Sequence, residues 1–225
     1  MVWQHGWERM VVLAFCWLAY PAPPAGLGAD TEQRDYAILV DGKEAGQSRL
    51  TITVETDGTT VVAGTARVKI NRVLFSYAFN VEATEWWKDG KLIGLKASSV
   101  ENGKQTDVTA ASDGTQLKLR LNGQDRTASA EAWTSSFWKL ADARYHNKSI
   151  PVLEPDTGKE FTAQLQYIGT EQLTLLNQPQ SCYHFRVSGG SYPIDVWFDR
   201  YHRLVRQEFT DTGHKTIVQL TAVKR

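Results

Sequence analysis

From residue 30 onward the chain alternates between apolar and polar positions with a period of two. Leu50, Ile52 and Val54 lie on one side of an extended chain, and Thr51, Thr53 and Glu55 on the other. Val62, Ala66, Val68 and Ile70 repeat the arrangement, and Leu117, Leu119 and Leu121 alternate with Lys118 and Arg120. Turn dipeptides separate these runs: Asp41-Gly42, Asp57-Gly58, Asp89-Gly90, Asn102-Gly103, Asp113-Gly114 and Asn122-Gly123, with Thr157-Gly158, Gly189-Gly190 and Thr212-Gly213 as weaker signals. The pattern predicts about 10–12 strands joined mainly by short hairpins. A sheet of that size cannot stay open and flat, so an all-β fold is expected, a curled antiparallel meander closing into a barrel or half-barrel.

Tyr192 to Phe209 is the most informative hairpin. A turn at Arg200-Tyr201 would set Val196 opposite Val205, Ile194 opposite Gln207 and Tyr192 opposite Phe209 on one face. The other face would carry Trp197 against Leu204 and an Asp195–Arg206 ion pair.

One stretch breaks the strand rhythm. Within Glu131–Ala143, Trp133, Phe137, Leu140 and Ala141 recur at helical spacing, with Trp138 at the edge and Thr134 or Ser135 as a cap. A single short helix is therefore expected near 134–143, inserted in or across the barrel mouth.

The first 29 residues read differently. Arg9, the apolar run Met10–Tyr20 and the small-residue exit PAPPAGLGA have the layout of a secretory signal peptide, with cleavage expected after Ala29 and sites after Ala25 or Gly28 left open. The run is too short to span a bilayer, which takes about 20 residues. Phe15 before Cys16 is too bulky for a lipidation signal. Residues 30–225 are then one exported domain, periplasmic or secreted. Cleavage leaves Cys182 as its sole cysteine, so its core and not a disulfide must hold it together.

Charge narrows the function classes. With 25 basic and 25 acidic residues, the chain lacks the basic excess of a nucleic-acid protein and would associate with an envelope only peripherally. No metalloprotease, phosphate-loop, dinucleotide or nucleophile-elbow motif is present, so neither a catalytic set nor a cofactor is expected. A metal site would have to combine His146, Cys182 and His184. The preferred reading of Cys182 is a small buried hydrophobe beside a hydrogen-bonded histidine. Glu82 and Glu85 fall on opposite faces of one strand and make no carboxylate pair.

Aromatic residues are more telling. Trp86, Trp133, Phe137, Trp138 and Trp197 could line an apolar pocket, Trp86 sharing a face with Ile93 and Leu95 across the Asp89-Gly90 turn while Trp87 faces away.

Several segments carry a resemblance. DYAILVDGKEAGQSRLTI, EWWKDGKLIGL, TSSFW, DTGKEF and DVWFDRYHRLVRQEF are similar to an uncharacterised family of exported bacterial β-rich proteins, a domain of unknown function, and the similarity covers nearly the whole chain after residue 30. In architecture alone, a meander with one helix resembles the LolA-like lipoprotein-carrier half-barrels, which implies a concave face able to take acyl chains. The expectation is a non-catalytic, monomeric envelope protein that binds a lipid or other apolar ligand inside the barrel. The alternative is an envelope scaffold or assembly factor with a solid core, and an enzyme comes last.

Overall fold

The computed structural model describes residues 30–72 and 75–225. Fifteen strands among them form one sheet. They are β1 (Asp30–Val40), β2 (Lys43–Val54), β3 (Thr60–Arg72), β4 (Phe75–Lys88), β5 (Lys91–Glu101), β6 (Lys104–Ser112), β7 (Gln116–Leu121) and β8 (Gln124–Ser129). After these come β9 (Trp133–Thr134), β10 (Lys148–Leu153), β11 (Glu160–Leu175), β12 (Gln178–Ser188), β13 (Ile194–Phe198), β14 (Leu204–Asp211) and β15 (His214–Lys224). Each half of the chain is an antiparallel meander apart from the two-residue parallel pairing of β9 with β10, and the antiparallel β1–β15 ladder joins the halves, leaving β8 and β9 as the two free edges.

All nine turn dipeptides fall between strands. At Asn102-Gly103 both residues take positive φ, 49° and 85°, the backbone of a two-residue hairpin whose twist matches its strands. Leu176-Asn177 adopts the same left-handed pair (51° and 63°) without the usual composition, so its turn is not legible from sequence.

The sheet curls, and the alternating apolar positions line its concave side. Tyr36, Leu50, Ile52, Val62, Leu92 and Leu117 from the first half meet Ile150, Leu165, Phe185, Val196 and Phe198 from the second in one core. Register places the turns at 57–58, 89–90, 113–114, 176–177 and 199–203 at one end, here the lower rim, and those at 41–42, 102–103, 122–123, 189–190 and 212–213 at the upper rim.

The expected helix at 134–143 does not form. Residues 133–146 run as a two-residue strand, turns and a 3-10 turn at Ala143–Tyr145. Phe137 takes φ 45°, which no right-handed helix allows. A helix of ten residues is marginal alone, and here the sheet offers its backbone better partners. Ser135 N–H donates to Leu153 (3.0 Å), Leu140 N–H donates to His202 (3.0 Å), and Lys139 bridges to Arg203. The residues assigned to the apolar stripe are nevertheless all buried: Trp133, Phe137, Leu140 and Ala141. The segment fills the lower half of the concavity as a plug.

The Tyr192–Phe209 hairpin also departs from expectation. The turn closes from Asp199 to Arg203, one residue later than expected, and a bulge between Trp197 and Phe198 adds a second shift, so Val196 pairs with Gln207, Trp197 with Arg206 and Ile194 with Phe209. Asp195 faces Glu208 and forms its ion pair with Arg186 of β12 instead of Arg206. Tyr192 still stacks on Phe209, with ring centroids 5.0 Å apart.

Phe137 is fully buried at the centre of the plug. Phe137→Ala should therefore cost about 3–5 kcal/mol in urea unfolding, while Val54→Thr at an exposed strand end should stay within about 0.5 kcal/mol.

Candidate functional site

Three of the five aromatic candidates converge. Trp133 lies 4.7 Å from Phe137 and 6.4 Å from Phe198 between ring centroids, and Trp138 meets Trp87 edge to face at 5.9 Å. Trp86 and Trp197 do not join them. A bulge between Trp86 and Trp87 puts Trp87 on the concave side beside Leu92, whereas Trp86 lies over Gly94 on the convex side. A Cβ at Gly94 would come within 3.2 Å of the Trp86 ring, so glycine is what lets that indole lie flat on the strand. The expected grouping of Trp86 with Ile93 and Leu95 is thus corrected: Leu95 is buried inside and Ile93 is exposed.

Glu85 accompanies the plug aromatics on the concave face, 2% exposed. Trp87 Nε1 (2.9 Å) and Thr134 Oγ1 (2.9 Å) both donate to its Oε2. Burial pushes this carboxyl above its ordinary range, against the opposing pull of hydrogen bonds from Trp87, Thr134 and Ser136. Among the described residues, no cationic side chain adds to that pull. On the next wall, Arg34 reaches Glu32 at 2.7 Å and donates to the Trp138 carbonyl, pinning the plug to β1.

The convex side of the second half carries a network that sequence reasoning missed. His184 Nδ1 lies 2.7 Å from Glu171 Oε1 and its Nε2 lies 2.9 Å from Asp195 Oδ1. The ring stacks on Trp197 at 4.2 Å, and Trp197 Nε1 donates to Glu171 Oε2 at 2.9 Å. Arg186 grips Asp195 through two hydrogen bonds of 2.9 Å each. The Trp197 N–H, foremost among its partners, holds Glu171 below the usual carboxylate range. Burial raises Asp195, but hydrogen bonds from Arg186 and His184 outweigh it and leave that carboxyl lowered. The ring nitrogens and carboxylates of this network satisfy one another. It is an adhesive between strands. Its signal was the alternation of Cys182-His184 with Asp195-Trp197 on adjacent outward faces, obscured by the bulge at 167–169 that brings Glu171 into reach.

His146 is on the other side of the wall, 4.8 Å from the Phe185 ring, with Nε2 3.0 Å from the Ala141 carbonyl. His146 and His184 therefore flank β12 from opposite faces. Among the described residues no three His, Cys, Asp or Glu side chains are grouped to hold a metal ion. Cys182 is fully buried, and burial pushes its thiol up to about 11.

The upper half of the concavity is less filled. Val68 pairs with Phe79 and Ile70 with Tyr77 across β3 and β4, all half-buried, as is Val81. They adjoin a recess of about 280 Å³ lined by Phe79, Leu121, Ser99 and Thr106, with Glu101, Lys104, Asp156 and Lys159 among its charged groups. The 154–159 turn closes one side of it: Ser99 Oγ donates to the Asp156 carbonyl (2.8 Å), and Gly158 rests on Val108 and Leu121. A second, shallower depression of about 570 Å³ lies on the convex face of β2–β6, lined largely by threonines and charged side chains.

The model of a family described only as a domain of unknown function, DUF6134, matches residues 36–221. The chain belongs to the DUF6134 family. A solved structure is also similar to this DUF6134 chain, the β-barrel-like protein of domain of unknown function DUF1849 from Brucella abortus. The two are 6% identical, with a TM-score of 0.65 over 86% of this chain and 97% of the other. At that identity the likeness establishes the fold alone. No curated protein matches the sequence. The expected family of uncharacterised β-rich proteins and the curled antiparallel fold are both upheld.

Glu85 sets a pH dependence. Its folded value lies above the ordinary 4.5, so the folded state holds the proton more tightly than the unfolded chain. The stabilisation is complete below the ordinary value and is lost as pH rises toward the raised one. Glu85→Gln, always neutral, should then gain on the wild type as urea unfolding is moved from about pH 4 to about pH 8. A gap that stays constant would show that folding leaves the proton affinity of Glu85 unchanged.

Proposed function

We propose that this DUF6134 protein is an exported, non-catalytic binder of an apolar or amphipathic ligand, seated in the upper half of its concave face. The observation that carries this reading is the uneven filling of the curl. The plug packs the lower half solid, while Val68, Ile70, Tyr77, Phe79 and Val81 remain half-buried beside the 280 Å³ recess. Proteins in water seldom leave a continuous apolar strip on an inner face without use for it. Trp133, Phe137 and Trp138 are then the floor beneath the ligand, since Phe137 has no exposed surface to offer.

Each buried methylene is worth about 0.8 kcal/mol, and association costs about 4–15 kcal/mol, so a long acyl chain is needed for micromolar binding. Calorimetric titration with a long-chain lysophospholipid should give a dissociation constant in that range. Phe79→Asp should abolish the heat, and Trp86→Ala on the convex face should leave it unchanged.

The filled lower half favours a second reading, an envelope scaffold with a solid core. Absence of binding by any long-chain amphiphile would select it. Export is supported by the Arg9–Ala29 pattern, which lies outside the described residues. N-terminal sequencing of protein recovered from the producing cell should begin near Asp30, and an intact Met1 would refute export.

A further inference from the structure

The charged groups around the upper recess specify the ligand's head, on the reading that an amphiphile binds there. Asp156 is half-buried where the 154–159 turn meets β5. Burial raises its carboxyl above the ordinary range, and the neighbouring charges of Glu154 and Glu101 push in the same direction. Backbone N–H groups of Asp156 itself and of Thr157 oppose that rise without overcoming it. Glu101 accepts a hydrogen bond from Tyr77 (3.0 Å) and Glu154 from Thr157 (2.5 Å), so both already have side-chain donors. Asn122, at the same rim, is occupied by the Asp107 N–H (2.8 Å). Lys104 and Lys159 line the recess from its exposed side. Among the described residues, no ion pair engages Asp156, Lys104 or Lys159.

The half-buried Asp156 carboxyl and two ammonium groups without an ion pair thus face one small space, with Glu101 beside them already hydrogen-bonded to Tyr77. A purely anionic head would satisfy the lysines but lie against Asp156. A purely cationic head would satisfy Asp156 and leave both lysines unmatched. We infer that the ligand carries a zwitterionic head on an acyl tail, with a primary ammonium for Asp156 and a phosphate for Lys104 and Lys159. A recess of 280 Å³ is near the lower limit of small-molecule sites, about 300–1,000 Å³, so it suits a compact head and the first methylenes. The remaining tail would follow Phe79 onto the Val68–Ile70–Tyr77 strip, because Phe79 belongs to both surfaces.

Calorimetry on the purified protein tests this with four probes: lysophosphatidylethanolamine, lysophosphatidylglycerol, an alkylammonium of equal chain length, and glycerophosphoethanolamine as the head alone. The zwitterionic lysolipid should bind tightest and the head alone should bind far more weakly. Asp156→Asn should weaken the zwitterion and the alkylammonium about tenfold, the value of one charge-assisted hydrogen bond, and leave lysophosphatidylglycerol unchanged or tighter. Lys104→Gln with Lys159→Gln should weaken both phospholipids and spare the alkylammonium. If lysophosphatidylglycerol binds as well as the zwitterion and ignores Asp156→Asn, the head assignment is wrong while the amphiphile reading stands. If the head alone matches the lysolipid, the tail is not recognised and the amphiphile reading falls. If none of the four binds, both fall. The lipid comparison on the wild-type protein decides the matter even if a variant fails to fold.

Discussion

The sheet has two free edges, β8 and β9, and the interior is arranged around the seam between them. A meander of fifteen strands that curls without closing leaves unpaired backbone groups along such a seam. Here it is closed by side chains and a loop in place of a hydrogen-bonded ladder. Glu160 of β11 accepts the Ser129 N–H at 2.7 Å, Lys91 pairs with Glu131 at 2.6 Å, and the 154–159 turn lies over β5–β7 through Ser99, Val108 and Leu121. β9 is only two residues long, and β8 presents Gln124, Asp125, Arg126 and Thr127 to solvent. Short, charged edges of this kind resist pairing with another chain. The plug exists because the seam is open: the chain must cross from β8 to β10, and the crossing runs inside the curl.

That route also explains why the two ends of the concavity differ. Residues 133–146 bring a tryptophan pair, Phe137 and Leu140 into the lower half, where Glu85, Arg34 and the His202 carbonyl hold the backbone and polar atoms that would otherwise be stranded. Nothing comparable enters the upper half, among the described residues, except the tip of the 154–159 turn. A buried acid such as Glu85 is tolerable because hydrogen bonds from Trp87, Thr134 and Ser136 offset part of the cost of its burial. Had the plug been the expected helix, its own carbonyls would have taken its N–H groups, and Thr134 would have had less reason to approach Glu85.

The sequence was a good guide wherever a local rule acted alone. Asp41-Gly42, Asn102-Gly103 and Asn122-Gly123 announce left-handed turns by composition, and the alternation between turns assigns inner and outer faces correctly through β2, β3 and β7. It failed where two rules competed. Apolar spacing in 133–141 suits a helix and a buried loop equally, and only the tertiary partners of Ser135 and Leu140 decide between them. Single-residue bulges at 86–87, 167–169 and 197–198 displaced the strand pairings, because each inserts a residue that no sequence pattern marks. The lost Asp195–Arg206 pair and the unforeseen Glu171–His184–Asp195 network are two consequences of that same slip.

A neighbour 6% identical with a TM-score of 0.65 shows how little of this fold depends on particular side chains. Turn-forming residues at regular intervals, an inward apolar face and an odd segment to fill the curl are enough, and many sequences satisfy them. The fold is then a poor witness to function, and the residues that exceed its needs are better ones. The Glu171–His184–Asp195 network does not exceed them, since it binds three strands of a wall that has a solvent-facing side. The plug aromatics do not either, since the lower half needs a core. Asp156, Lys104 and Lys159 make no ion pair among the described residues, and a half-buried carboxyl without a counter-ion costs folding energy. The upper rim, not the tryptophan-rich centre, is where the side chains are least accounted for by the fold.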